Sequence, residues 1–212
     1  MLSETAVLLA IDPVEPEPWL IGRVTATLRR GGLVVLPTDT VYALACPLSN
    51  EQAIERLYDL KRLPPTRRLS ILVPDIAAAS RYARGIPNPV HRAMRRVLPG
   101  PYTFIFRSSN EVPRIMLHKR RTVGLRIPDS PIALAVLEVL GEPLLSTSVR
   151  NNADEWLLDP AAIAEEWLGR VDLVVDGGLL AAEPSTVVDL TSDQPVLLRK
   201  GKGDVAALEL FD

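Results

Sequence analysis

Apolar residues recur along the chain at two alternating spacings. Residues 19–30 carry them at helical intervals, whereas LVVLP at 33–37 carries them consecutively, the pattern of a strand covered on both faces. The alternation continues with a helix over 51–60, a strand at LSILV (69–73), helices over 75–82 and 89–97, and strands at YTFIF (102–106) and TVGLRI (122–127). A helix over 131–140, the strand PLLSTS (143–148), and a helix opening at Pro160 with Trp167 and Leu168 closing its apolar face come next. VDLVVDGG, STVVDL and VLLR predict three late strands. Single strands alternating with helices, then strands in succession, predict an α/β fold built on an open, twisted, mixed sheet with flanking helices.

Nineteen prolines fall mostly at strand ends and turns, so they punctuate elements without marking a linker. With 212 residues, nearly half of them hydrophobic, the expectation is one domain over 1–212. A lone cysteine, Cys46, excludes an internal disulfide and a multi-cysteine metal site, and fits a reducing compartment. The short apolar stretch at 6–11 has no basic segment before it and acids and prolines after it, so it is not read as a secretion signal. No apolar run reaches the ~18 residues of a membrane span. A cytoplasmic protein with no membrane partner is expected.

A net charge of −2 hides a strong asymmetry. Residues 56–126 hold 16 Lys or Arg against three acids (Asp59, Asp75, Glu111), an excess of 13 positive charges, so the remainder carries 15 negative ones. Such a segment suits nucleic acid or nucleotide phosphates. It also fits solvated helix faces neutralised by the acidic remainder folding beside them.

Three segments offer chemistry. In GGLVVLPTDTVYALAC an apolar strand ends at Pro37 and presents Thr38, Asp39, Thr40 and Tyr42 at its carboxyl end, where ligands commonly bind in α/β sheets. A strand-end turn would use the same residues. In LKRLPPTRRLSILV, Lys61, Arg62, Arg67 and Arg68 bracket a Pro-Pro turn, and a polyanion would relieve their repulsion as water would. In LLSTSVRNN, Ser146, Thr147 and Ser148 can form an anion-binding nest with nearby backbone N–H groups.

Several chemistries find no support. There is no Walker loop, no GxGxxG and no GxSxG. His91 and His118 have no second ligand at metal-binding spacing and are read as surface residues. Trp156 and Trp167 lie in apolar or amphipathic stretches and are assigned to core packing.

The segments PTDTVYAL (37–44), LKRLP, LPGPYTFIF, VGLRIP (123–128), LLSTS, PSTVVDL (184–190) and LLRKGKGD around Arg199 occur in an order that resembles the YrdC/YciO family over about residues 18–202. The resemblance implies an open twisted α/β sheet around a positively charged concave cleft. It implies that Thr38, Arg126 and Ser185 contact threonine, and that Lys61, Arg62, Ser146, Ser148 and Arg199 face ATP. No covalent nucleophile, metal site or permanent cofactor is implied, because Mg²⁺ arrives with ATP.

The activity implied is that of a nucleotidyltransferase, an L-threonylcarbamoyladenylate synthase consuming threonine, bicarbonate and ATP for tRNA modification. A tRNA threonylcarbamoyl transferase and RNA, double-stranded or tRNA, are the implied partners. Two positions depart from the synthase pattern. Lys-x-Arg becomes Lys61-Arg62-Leu63, and Ser-x-Asn becomes Ser148-Val149-Arg150. These resemble the YciO branch, for which an RNA-binding accessory role with weak or no synthase activity is the alternative. The chain is expected to lack the C-terminal domain of the longer synthases.

Overall fold

Helix starts are chemically marked in this chain. Asn50, Asp75, Ser130 and Asp159 each place a side-chain oxygen on a backbone N–H of the following turn, and Pro18, Pro131 and Pro160 sit in first turns that need no donor. The computed structural model describes residues 7–63, 69–116, 121–151, 153–167 and 169–211. Its elements are β1 (Val7–Ala10), α1 (Pro18–Arg29), β2 (Val34–Leu36), β3 (Ala43–Pro47), α2 (Glu51–Leu60), β4 (Ser70–Leu72), α3 (Ile76–Tyr82) and α4 (Asn88–Val97). They continue with β5 (Tyr102–Arg107), β6 (Thr122–Arg126), α5 (Pro131–Leu140), β7 (Leu144–Ser148), α6 (Pro160–Glu166), β8 (Leu173–Asp176), β9 (Thr186–Asp189) and β10 (Val196–Arg199). Two short 3₁₀ turns lie at Arg114–Met116 and Ala206–Leu208.

All ten strands join one mixed sheet in the order β1-β8-β2-β3-β7-β4-β6-β5-β9-β10. The pairs β1/β8, β8/β2, β4/β6 and β5/β9 are parallel and the other five antiparallel, three of them in succession from β2 to β4. The expected mixed α/β sheet is therefore present. Two strands were not foreseen. β1 buries only Leu9 of its four residues, too little alternation to read, and β3 is buried throughout and follows the polar turn directly. β3 closes an antiparallel pair with β2, which makes 37–42 the connection between two strands.

Alternation along the strands divides the core. Val34 and Leu36 of β2, Leu144 of β7 and Leu173 and Val175 of β8 pack under α1 and α5, which contribute Leu20, Ile21, Val24, Leu28, Ile132, Val136, Leu137 and Leu140. Val35, Leu145 and Val174 point the other way, against α2, α3, α4 and α6. A fully buried side chain such as Leu28 contributes about 1.5–3 kcal/mol. The α1/α5 cluster receives nothing from β5, β6, β9 or β10, so on that face these helices cover one half of the sheet. No described helix is long and apolar enough to cross a membrane.

Candidate functional site

The uncovered half of that face is polar. Along β7, Leu144 lies under the helices, while Ser146 and Ser148 on the same face leave the apolar cluster. Ser146 pairs with Ser70 of β4, and Ser70 with Gly124 of β6, so a low row of small side chains crosses three strands before it meets Ile105 of β5. A Cβ at Gly124 would stand 3.3 Å from Ser70 Oγ and 3.4 Å from Thr103 Cγ2. Over this floor lies a recess of about 210 Å³, bordered by Thr40, Arg126, Ser146, Ser148, Ser185 and Arg199 among others.

At one end of the recess the β2–β3 connection meets the end of β6. Thr38 Oγ1 donates to the Val41 carbonyl at 2.7 Å and accepts from the Thr40 amide at 3.2 Å, which folds the turn onto itself. Arg126 Nη2 points at Thr40 Oγ1 (2.6 Å), Thr38 Oγ1 (3.2 Å) and the Asp39 carboxylate, with which it forms an ion pair. Both charged side chains are more than nine-tenths buried. Arg126 Nε and Asp39 Oδ2 are buried with no hydrogen-bond partner among the described residues. A buried donor left unmade costs about 1–3 kcal/mol or more when charged, so an incoming acceptor at Nε would recover that cost.

The other wall is tied together by hydroxyls. Ser185 Oγ lies 2.8 Å from Thr103 Oγ1, and Arg199 donates to Ser185 through Nη2 to Oγ (3.0 Å) and Nε to the carbonyl (2.8 Å). The segment after β10 returns along Pro184–Thr186. Thr186 Oγ1 accepts from the Gly201 amide and donates to the Gly203 carbonyl, and the Lys202 amide reaches the Pro184 carbonyl. A Cβ at Gly201 would fall 2.1 Å from that carbonyl oxygen, so only glycine fits. This clamp turns Lys202 Nζ onto the Asp39 carbonyl at 2.6 Å.

Of the eight site residues expected from the motifs, the structure gathers six. Arg126, Ser146, Ser148, Ser185 and Arg199 border the recess, and Thr38 joins them through Arg126. Lys61 and Arg62 lie past the end of α2, outside that border. Lys61 Nζ sits 5.3 Å from the Trp167 ring centre, and Arg62 has φ +48°. Arg67, Arg68, the Pro-Pro turn and His118 fall outside the described residues. Asp39 and Thr40 were visible in the polar run without a role. Thr103 and Lys202 were missed, though Gly201-Lys202-Gly203 was a signal for a cation on a constrained backbone.

Trp167 is buried as expected, at 2% exposure. Trp156 is a correction. It is half-buried at the border of the recess instead of in the core, because the loop after β7 turns back on itself there. Arg150 does not line the recess. It bonds the Asp154 carboxylate at 2.7 Å and stacks on Trp156. Burial pushes the Tyr42 hydroxyl up to about 12, and that group ties the end of the β2–β3 connection to the Gly177–Gly178 turn.

A mixed sheet that leaves half of one face open, with a buried arginine and hydroxyls converging on a small recess, is an arrangement suited to a small polar ligand. The family model for Sua5, YciO and YrdC, described as "Telomere recombination", matches residues 26–201, and the chain belongs to that family. Uncharacterized protein YciO of Escherichia coli is 42% identical over 197 residues, covering 92% of this chain and 95% of that one. The crystal structure of E. coli YciO superposes with a TM-score of 0.88 at 40% identity, over 96% of this chain and 99% of that one. Threonylcarbamoyl-AMP synthase of Pyrococcus abyssi is 32% identical over 87% of this chain, which spans 55% of that longer relative. P. abyssi Sua5 complexed with L-threonine gives a TM-score of 0.87 at 30% identity, over 92% of this chain and 58% of the other.

Proposed function

We propose that the chain condenses threonine, bicarbonate and ATP to L-threonylcarbamoyladenylate. The observation that carries this reading is Arg126, a buried guanidinium whose Nε lacks a partner beside Thr38 and Thr40. A threonine carboxylate would complete that group, and the Asp39 pair holds the guanidinium in place for it. Ser185 would orient the substrate hydroxyl, and Thr38, whose hydroxyl is taken up by Val41, Thr40 and Arg126, would act through Arg126. At about 210 Å³ the recess is below the roughly 300–1,000 Å³ of drug-sized sites, so it suits the amino acid while the nucleotide extends outward.

Threonine's amine and bicarbonate give a carbamate with loss of water. A carbamate oxygen then attacks the α-phosphorus of ATP, and the bond to the β-phosphate oxygen breaks to release pyrophosphate. Mg²⁺ would travel with the phosphates, neutralising charge as they separate. Ser146, Ser148 and Arg199 would supply hydrogen bonds and charge along the nucleotide, so catalysis rests on positioning. The assignment of Lys61 and Arg62 to ATP rests on the motif alone, since neither borders the recess. The product would serve a tRNA threonylcarbamoyl transferase.

The test is pyrophosphate release with ATP, Mg²⁺ and bicarbonate, with and without threonine. Threonine-dependent release is expected. Its absence in folded protein refutes the synthase reading. A second reading, an RNA-binding accessory protein, draws on Leu63 at the synthase arginine position and on Arg150, held by Asp154. Salt-sensitive RNA binding without pyrophosphate release would select it.

A further inference from the structure

In the described part of the loop after β7, residues 149–151 and 153–157, one tryptophan is held against a cation. Arg150 and Trp156 face each other across an antiparallel bridge, and the Leu157 amide returns to the Val149 carbonyl at 3.3 Å. Inside the loop, Asn151 Oδ1 accepts from the Ala153 and Glu155 amides, both at 2.9 Å, and its Nδ2 donates to Glu155 Oε2. Arg150 Nη1 donates to Asp154 twice, to the carboxylate at 2.7 Å and the carbonyl at 3.1 Å. These bonds fix the guanidinium, whose Cζ lies 3.7 Å from the Trp156 ring centre.

One face of the indole is therefore covered by a cation, a contact worth about 0.5–2 kcal/mol. The residue is only half-buried, and it borders the recess that Ser146, Thr147 and Ser148 also line. Of these, Ser146 and Ser148 are the hydroxyls assigned above to ATP. An aromatic surface adjoining the strand end that the ATP reading gives to the phosphates has the chemistry to stack a nucleobase, as every base presents a π-face.

We propose that Trp156, backed by Arg150, is the platform on which the purine of the nucleotide stacks. This rests on the ATP reading of the recess. It gives Arg150 a purpose at the position where the synthases carry asparagine, because the guanidinium acts through the indole without entering the recess. Stacking adds affinity with little choice among bases, so GTP should compete with ATP.

The experiment compares wild type with Trp156→Ala, Trp156→Phe and Arg150→Met, using calorimetric titration with ATP and with inorganic tripolyphosphate. Trp156→Ala should weaken ATP roughly 5- to 150-fold while leaving tripolyphosphate binding unchanged. Trp156→Phe should recover most of the loss, and Arg150→Met should fall between wild type and Trp156→Ala. An unchanged ATP affinity in Trp156→Ala, or an equal loss for both ligands, overturns the platform and leaves the ATP reading standing. Wild-type protein that binds neither ligand overturns both.

Discussion

Removing the carboxylate of Asp39 strands a buried positive charge. Arg126 and Asp39 side chains retain only 9% and 7% of their exposure, so the relevant magnitude is that of a broken buried pair, about 3–5 kcal/mol, instead of the 0–1 kcal/mol of a surface pair. The loss is large beside a total stability of about 5–15 kcal/mol. At about 2–4 °C per kcal/mol for a chain of this size, Asp39→Ala should lower the melting temperature by roughly 6–20 °C. Asp39→Asn, which keeps an acceptor for Nη2, should lose less. The double variant Asp39→Ala with Arg126→Met should regain much of the stability while failing to bind threonine, which separates the pair's structural part from its binding part. The assay is urea unfolding followed by circular dichroism, with threonine titration of each variant. A loss below about 1 kcal/mol for Asp39→Ala would refute the claim that the pair is desolvated.

The clamp behind Lys202 should be intolerant of a methyl group. Gly201→Ala places Cβ 2.1 Å from the Pro184 oxygen and should cost about 3 kcal/mol or more in urea unfolding. Burial pushes the Cys46 thiol up to about 12, leaving a negligible thiolate fraction at pH 8. A thiol reagent should therefore titrate no cysteine in native protein and one after denaturation. Leu63→Arg restores the second arginine of the synthase pattern and should raise threonine-dependent pyrophosphate release severalfold. Unchanged turnover would show that Leu63 does not limit the reaction.

The elements most legible in the sequence were those whose pattern is local. Amphipathic spacing gave the helices, and uninterrupted apolar runs gave β2 and β8. β3 was hidden because its strand character comes from pairing with β2 and β7, whereas its own sequence runs straight on from a polar turn. The residues around the recess were legible where a motif ended a strand, as at Thr38 and Arg126. Asp39's grip on Arg126 was not, because 87 residues separate them and only the juxtaposition of β2 and β6 loops closes the distance. Trp156 was misread because its apolar neighbours resemble core, while the turn formed by Asn151 and Asp154 brings it to the rim.

The charge asymmetry has a mixed origin, and the recess shows how the two parts divide. Among the described residues, Arg56 pairs with Asp172, Arg96 with Glu209 and Arg126 with Asp39, each joining the basic segment 56–126 to the acidic remainder. Part of the positive excess is thus neutralised within the fold, as the alternative reading of the sequence allowed. The first two pairs are solvent-exposed and contribute about 0–1 kcal/mol each. The third is buried at the end of a polar recess and still leaves Arg126 Nε and Asp39 Oδ2 without partners. A pair serving stability alone would satisfy those atoms or be replaced by apolar packing, which is often as stable. The open Arg126 Nε is the physical reason to place a carboxylate-bearing ligand there, while Asp39 Oδ2, an acceptor, calls for a donor such as a hydroxyl or amine on the same ligand.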